Sequence, residues 1–154
     1  MLISRADRDW LSLAIDLSKQ CPPSETAFSV GAIIVDAHGV EISRGFSRER
    51  PHAHAEESAL EKLPSDDERL PTATLYSSLE PCTHRRSSPR TCCDLIIAAG
   101  IKRVVIAWQE PPTFVHDAHG VEALKAAGIE IIEYPELAEA AAEVNAALLT
   151  STDC

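Results

Sequence analysis

The chain has 154 residues, 45% hydrophobic and 25% charged, with a formal net charge of −10. Such a composition predicts one globular domain over residues 1–154, with enough surface buried to form a core without disulfide staples. The negative charge excludes a generic binder of nucleic-acid polymers, and no apolar run reaches the roughly 18 residues of a membrane span, so neither partner is expected.

In chain order, residues 4–19 place Trp10, Leu13, Ala14 and Leu17 on one helical stripe with Ser4 as the N-cap. Cys21-Pro22-Pro23 ends that helix, because proline lacks an N–H and restricts the residue before it. Val30 to Val35 is a β-branched run, Asp36-Ala37-His38-Gly39 a turn, and Val40 to Phe46 the partner strand of a hairpin. Residues 53–63 read as a helix stopped by Pro64, and 73–77 as a strand. Residues 91–99 read as a helix closed by Gly100, 103–108 as a strand, 121–127 as a short helix before Gly128, and 129–134 as the last strand. The Ala-rich stretch 136–149 predicts one terminal helix.

This order predicts an α/β protein: a five-stranded mixed sheet with helices on its faces, the last three strands parallel because helical crossovers separate them. Sites in such sheets form at the carboxyl ends of strands, where helices begin. Two predicted helix starts carry reactive side chains, His54-Ala55-Glu56 and Thr91-Cys92.

The stretch SLEPCTHRRSSPRTCC, residues 78–93, holds three of the five cysteines. An odd cysteine count and an N-terminus interrupted early by Asp7, Arg8 and Asp9 point to a reduced, cytoplasmic setting. There, clustered thiols serve metals or catalysis more often than disulfides. His54, Cys82 and a second thiol from the Cys92-Cys93 pair make a set of one imidazole and two thiolates. Three such ligands leave the fourth position of a tetrahedral zinc open for water, as in catalytic sites. Glu56, two residues after His54, can reach that water without ligating. The zinc-deaminase signature, H-x-E followed by P-C-x-x-C with a non-ligating Glu, comes close to this pattern. It differs at one point: Arg85 stands where that spacing puts the second thiol.

The stretches HAEESAL, SLEPCTH…SPRTCCDLIIAAGIKRVVIAWQEP and GVEALKAAGIEI resemble the deaminase domain of the riboflavin-biosynthesis aminopyrimidine deaminases, over roughly residues 28–134. The resemblance implies the cytidine-deaminase-like three-layer α/β/α fold, one Zn2+ per chain, and a homodimer or homotetramer. Counting back from Gly100, it assigns the second thiol to Cys92 rather than Cys93. It also matches His84 to a family histidine two residues after the first cysteine. Phe28, Ser47, Arg85 and Arg86 align near substrate-holding positions, and Arg85, Arg86 and Arg90 could grip a phosphate or be merely solvated. At those positions the chain departs from the family. Ala27-Phe28-Ser29 replaces an Asn-Pro, Ser47 a His, and Arg85 to Arg90 a Gly-Lys/Arg-Thr-Pro-Pro loop. The departures predict poor use of the riboflavin-pathway nucleotide and better use of another amino-heterocycle. With the sequence ending at Cys154, the family's usual reductase domain is not expected.

The expected chemistry is hydrolytic deamination of a small amino-heterocycle by water, with Glu56 as the proton shuttle. Cys93 and Phe28 also suit core positions, Glu57 a solvated helix surface, and Cys21 and Cys154 no role. His38, His52, His116 and His119 are not expected to ligate. Two rivals are a polynucleotide-editing deaminase, which the charge and the five Tyr and Phe residues disfavour, and a non-catalytic zinc module. The second would need Cys93 or His84 as a fourth ligand.

Overall fold

The computed structural model describes residues 4–83, 89–109, 111 and 119–151. Five strands, β1 (Gly31–Val35), β2 (Glu41–Phe46), β3 (Thr74–Ser77), β4 (Arg103–Ile106) and β5 (Glu130–Glu133), form one sheet in the order β2-β1-β3-β4-β5. β1 runs antiparallel to both β2 and β3, while β3, β4 and β5 are parallel. The hairpin at Asp36 closes β1 on β2, its carboxylate accepting the N–H groups of His38 and Val40 at 2.9 Å. Crossover helices impose the parallel order of the rest.

The helices are α1 (Arg5–Ser18), α2 (Ala55–Glu61), α3 (Cys92–Ala99), α4 (Gly120–Ala126), α5 (Ala138–Val144) and α6 (Ala146–Ser151). Alternation along β1 divides the core: Ile33 and Val35 point to a layer with α1 and α5, Ala32 and Ile34 to one with α2, α3 and α4. The five-stranded mixed sheet with helices on its faces, expected from the element order, is observed, and it forms the three α/β/α layers that the resemblance implies.

Ser4 caps α1 as predicted. Its hydroxyl accepts the Asp7 N–H at 3.0 Å and the Asp7 carboxylate accepts the Ser4 N–H at 3.2 Å. The buried stripe differs from the predicted one: Leu13 is exposed, and Leu11, Ala14, Ile15 and Leu17 face the sheet. Asp7 lies on the buried side of the helix as well. It is buried, its Oδ1 accepts from the Tyr76 hydroxyl at 2.6 Å, and its two oxygens accept from Arg103 at 2.9 and 2.7 Å.

A second difference lies at the C-terminus, where the predicted single helix is a 3-10 turn (Pro135–Leu137) followed by α5 and α6, broken at Asn145. The buried Asn145 side chain accepts the Ser29 N–H at 2.6 Å and donates to the Ser29 carbonyl at 3.1 Å. A partner 116 residues away thus overrides the local helical preference of the alanines.

The strand directions bring the chain segments of interest to one edge. Paired residues Gly31 and Phe46, Ala32 and Ser77, Ser77 and Ile106, and Ile106 and Glu133 put the start of β1 beside the ends of the other four strands. Gly45 lets α2 sit directly on this end of β2, since a Cβ there would lie 2.5 Å from the Ala59 nitrogen and 2.6 Å from the Ala55 carbonyl oxygen.

Candidate active site

Three elements deliver the predicted metal donors to the shared edge. His54 is the residue before α2, Cys82 lies in the loop after β3, and Cys92 is the first residue of α3. The path from β2 to His54 is a tight loop in which Arg48 and His52 take left-handed φ angles of 61° and 65°. The Arg48 N–H donates to the Ala53 carbonyl at 2.8 Å, which turns His54 back over the sheet edge.

His54 Nδ1 lies 3.5 Å from Cys82 Sγ and 3.3 Å from Cys92 Sγ. The three ligating atoms all fall within 4.8 Å of one another, the one such group of three or more among the described residues. Zinc bonds of 2.0–2.1 Å to nitrogen and 2.3 Å to sulfur at tetrahedral angles imply N···S edges of about 3.6 Å, so the set fits that ion. The protein prepares thiolate there as well. The Cys92 thiol, His54 and the Cys92 backbone N–H bring the Cys82 thiol down to about 4. Cys92 itself is pushed up by hydrogen bonding to Cys82, by burial, and by the nearby Glu56 carboxylate. A dication held there would favour the thiolate form of both sulfurs.

Glu56, in the first turn of α2, is only 4% exposed. Its Oε1 and the Leu79 carbonyl lie 2.8 Å from the hydroxyl oxygen of Ser77, which is fully buried at the end of β3. A hydroxyl has one proton and two lone pairs. Ser77 can donate to an ionised Glu56, or turn to Leu79 and accept once Glu56 carries a proton. Sequence reasoning missed Ser77, and its strand pattern gave no sign of which face it takes.

Glu57, expected on a solvated surface, is corrected: its side chain is 19% exposed and its Oε1 accepts the His54 N–H at 3.3 Å. Arg50 reaches the same carboxylate at 3.5 Å. The signal was present in His-Ala-Glu-Glu, since an acidic residue three positions after a helix N-cap commonly reaches back to it. Cys93 points elsewhere, its sulfur 3.5 Å from the Pro81 carbonyl, and burial pushes its thiol up to about 12.

The residues expected near substrate have other partners here. Phe28 is buried and meets Trp108 edge-on at 5.4 Å between centroids. Ser47 is buried, its hydroxyl accepting the Val30 N–H at 2.9 Å. Arg48 donates to the Pro22 and Phe28 carbonyls and to the Ser29 hydroxyl, fastening the segment that carries Ala27-Phe28-Ser29. His84, Arg85 and Arg86 lie outside the described residues.

A three-layer α/β/α sheet with one imidazole, two thiols and a buried carboxylate at its active edge defines the class of zinc-dependent hydrolytic deaminases. The family described as the cytidine and deoxycytidylate deaminase zinc-binding region matches residues 4–108, and the chain belongs to it. Within it, the chain is 43% identical over 128 residues to the diaminohydroxyphosphoribosylamino-pyrimidine deaminase of Schizosaccharomyces pombe, covering 81% of this chain and 31% of that protein. It is 35% identical over 127 residues to the deaminase of the same name from Buchnera aphidicola subsp. Schizaphis graminum, covering 81% and 82%. Acinetobacter baumannii RibD (form 2) superposes with a TM-score of 0.80 at 31% identity, over 96% of this chain and 40% of that one. The Aspergillus oryzae Rib2 deaminase in complex with DARIPP superposes with a TM-score of 0.68 at 27% identity, over 83% and 84%. The chain thus spans about a third of the Schizosaccharomyces pombe relative and most of the Buchnera one. Among the described residues, no helix is long and apolar enough to cross a membrane.

Proposed function

We propose that this chain is a hydrolytic deaminase that holds one zinc through His54, Cys82 and Cys92 and releases ammonia from an amino-substituted pyrimidine or related heterocycle. The observation that carries this reading is the convergence of the three donors beside the buried Glu56. Within that substrate class we put the aminopyrimidines of the riboflavin branch first. The departures at Ala27-Phe28-Ser29 and Ser47 argued for a different heterocycle. In the structure those residues are tied into their own scaffold by Val30, Arg48, Trp108 and Asn145. The relatives at 43% and 35% identity are named for that substrate class.

Zinc held by His54, Cys82 and Cys92 would supply a bound water with a pKa near 7, and so a hydroxide at neutral pH. Glu56 takes a proton from the attacking water and delivers it to the ring nitrogen beside the reacting carbon as the C–O bond forms. It takes the second proton from the same oxygen and gives it to the exocyclic amine as the C–N bond breaks. The ring N=C–NH2 becomes NH–C=O, and the four hydrogens of water and amine end on the ring nitrogen and ammonia. Ser77 supports both states of Glu56, donating to it when ionised and accepting from it when protonated. The low-dielectric surroundings of Glu56 strengthen each of these contacts. Cys93 offers no support for a closed four-ligand module, because its thiol faces Pro81.

The reading includes a reduced, cytoplasmic setting that keeps Cys21, Cys82, Cys92 and Cys93 as free thiols. It also includes a homodimer or homotetramer, which sedimentation would measure. The test of function is ammonia release from a panel: the diaminohydroxyphosphoribosylaminopyrimidine, DARIPP, cytosine derivatives and aminopurines, with and without ribose phosphate. One of the first two should give the highest kcat/KM. A cytosine or purine turned over faster would move the substrate assignment, and no ammonia from any compound would remove the enzymatic reading.

A further inference from the structure

His54 and Cys92 are carried by helices, whose own hydrogen bonds fix the backbone behind each ligand. Cys82 is carried by a loop and needs support from outside it. That support is concentrated on Glu80, two residues earlier and only 5% exposed. The Glu80 N–H donates to the Trp108 carbonyl at 2.8 Å, and its Oε2 accepts the Val121 N–H at 2.9 Å in the first turn of α4. Gly120 closes the same contact, since a Cβ there would stand 2.2 Å from the Pro81 carbonyl oxygen and 2.7 Å from Glu80 Cγ. On the far side, the Cys93 N–H donates to the Cys82 carbonyl at 3.2 Å and the Cys92 N–H to Cys82 Sγ at 3.3 Å. The residue is thus held between α4 and the start of α3.

We infer that Glu80 is a positioning residue for the metal centre: its carboxylate clamps the Cys82 loop onto Gly120-Val121, and this sets where the Cys82 sulfur stands. Glu80 is not among the three donors. The inference rests on the reading of His54, Cys82 and Cys92 as a zinc site, and it reaches further, assigning α4 to the support of that site. Partners that orient metal ligands typically contribute 10–100-fold in metal affinity.

The test titrates Zn2+ into the full chain against a chromophoric chelator, with the thermal midpoint measured on the same samples. Glu80→Ala should lower zinc affinity by about 10–100-fold, whereas Glu80→Gln, whose amide oxygen still accepts the Val121 N–H, should stay within about threefold of wild type. Gly120→Ala should lower affinity like Glu80→Ala by forcing Pro81 away, and it decides the matter if Glu80→Ala does not fold. Asp7→Asn is the control for a merely structural loss: it sits at the opposite edge of the sheet and should lower the midpoint while leaving zinc affinity unchanged. Folded Glu80→Ala and Gly120→Ala chains with wild-type affinity would overturn the inference, as would a Gln variant as weak as the Ala one. A wild-type chain that binds no zinc would instead remove the site reading beneath it.

Discussion

Cys92 and Cys93 are adjacent in sequence and part company in chemistry. Cys92 Sγ stands 3.3 Å from His54 Nδ1, whereas Cys93 faces the Pro81 carbonyl and its burial keeps the thiol neutral. Cys92→Ala should therefore lose the metal, and Cys93→Ala should retain one zinc per chain. Elemental analysis of the two purified variants decides it, and the reverse result would contradict the site. His54, Cys82 and Glu56 were legible from residue type and spacing alone. The choice between neighbouring thiols was not, because two consecutive helical residues differ by about 100° of rotation and only the packing of α3 says which turns inward. It came from the resemblance. Ser77 and Glu80 were illegible for a related reason, as a buried polar side chain is recognised by its partners, and here those come from distant elements.

At the level of elements, the predicted order of helices and strands is the observed one, with ends moved by one or two residues. The exception is the terminal helix. Asn145 has ordinary helical tolerance, and nothing near it in sequence announces a break. The break is imposed by Ser29, whose N–H and carbonyl both pair with the Asn145 amide. Removing that amide deletes two part-buried hydrogen bonds and leaves their backbone partners unmatched. Asn145→Ala should cost about 2–3 kcal/mol, read as a lower urea midpoint with an unchanged slope. A midpoint equal to wild type would mean that the α5–α6 break does not depend on Ser29.

For the whole molecule, one sheet with helices on its faces followed from the element order, but the place of β1 between β2 and β3 did not. A hairpin announces that β1 meets β2; nothing local announces that its other edge takes β3. The Asp7, Tyr76 and Arg103 cluster holds these layers together from the edge opposite the site. Burial would raise the Asp7 carboxyl, but hydrogen bonds from Arg103, Tyr76 and the Ser4 backbone outweigh it and hold the group well below the usual carboxylate range. Because its folded value lies below the unfolded one of about 3.9, the stabilisation is fully present above pH 4 and is lost as pH falls toward the folded value. Asp7→Asn should cost about 2–3 kcal/mol near neutral pH, because Arg103 loses its shortest ion pair and keeps only the one to Glu130 at 3.3 Å. The gap in urea midpoint between wild type and variant should narrow as pH falls below about 4. A gap that stays constant into acid would contradict this account of Asp7.

The chemistry at the active edge is tested most directly by Glu56→Ala, with zinc content and ammonia release measured on the same preparation. The variant should fold and keep its zinc, because Glu56 is not among the three donors. Its turnover on the best substrate of the panel should fall by about 10²–10⁴-fold or more, because one carboxylate serves every proton transfer in the cycle. A variant that retains both its zinc and most of its activity would contradict the central claim, and one that loses the metal would make Glu56 a ligand or a prop instead of the proton shuttle.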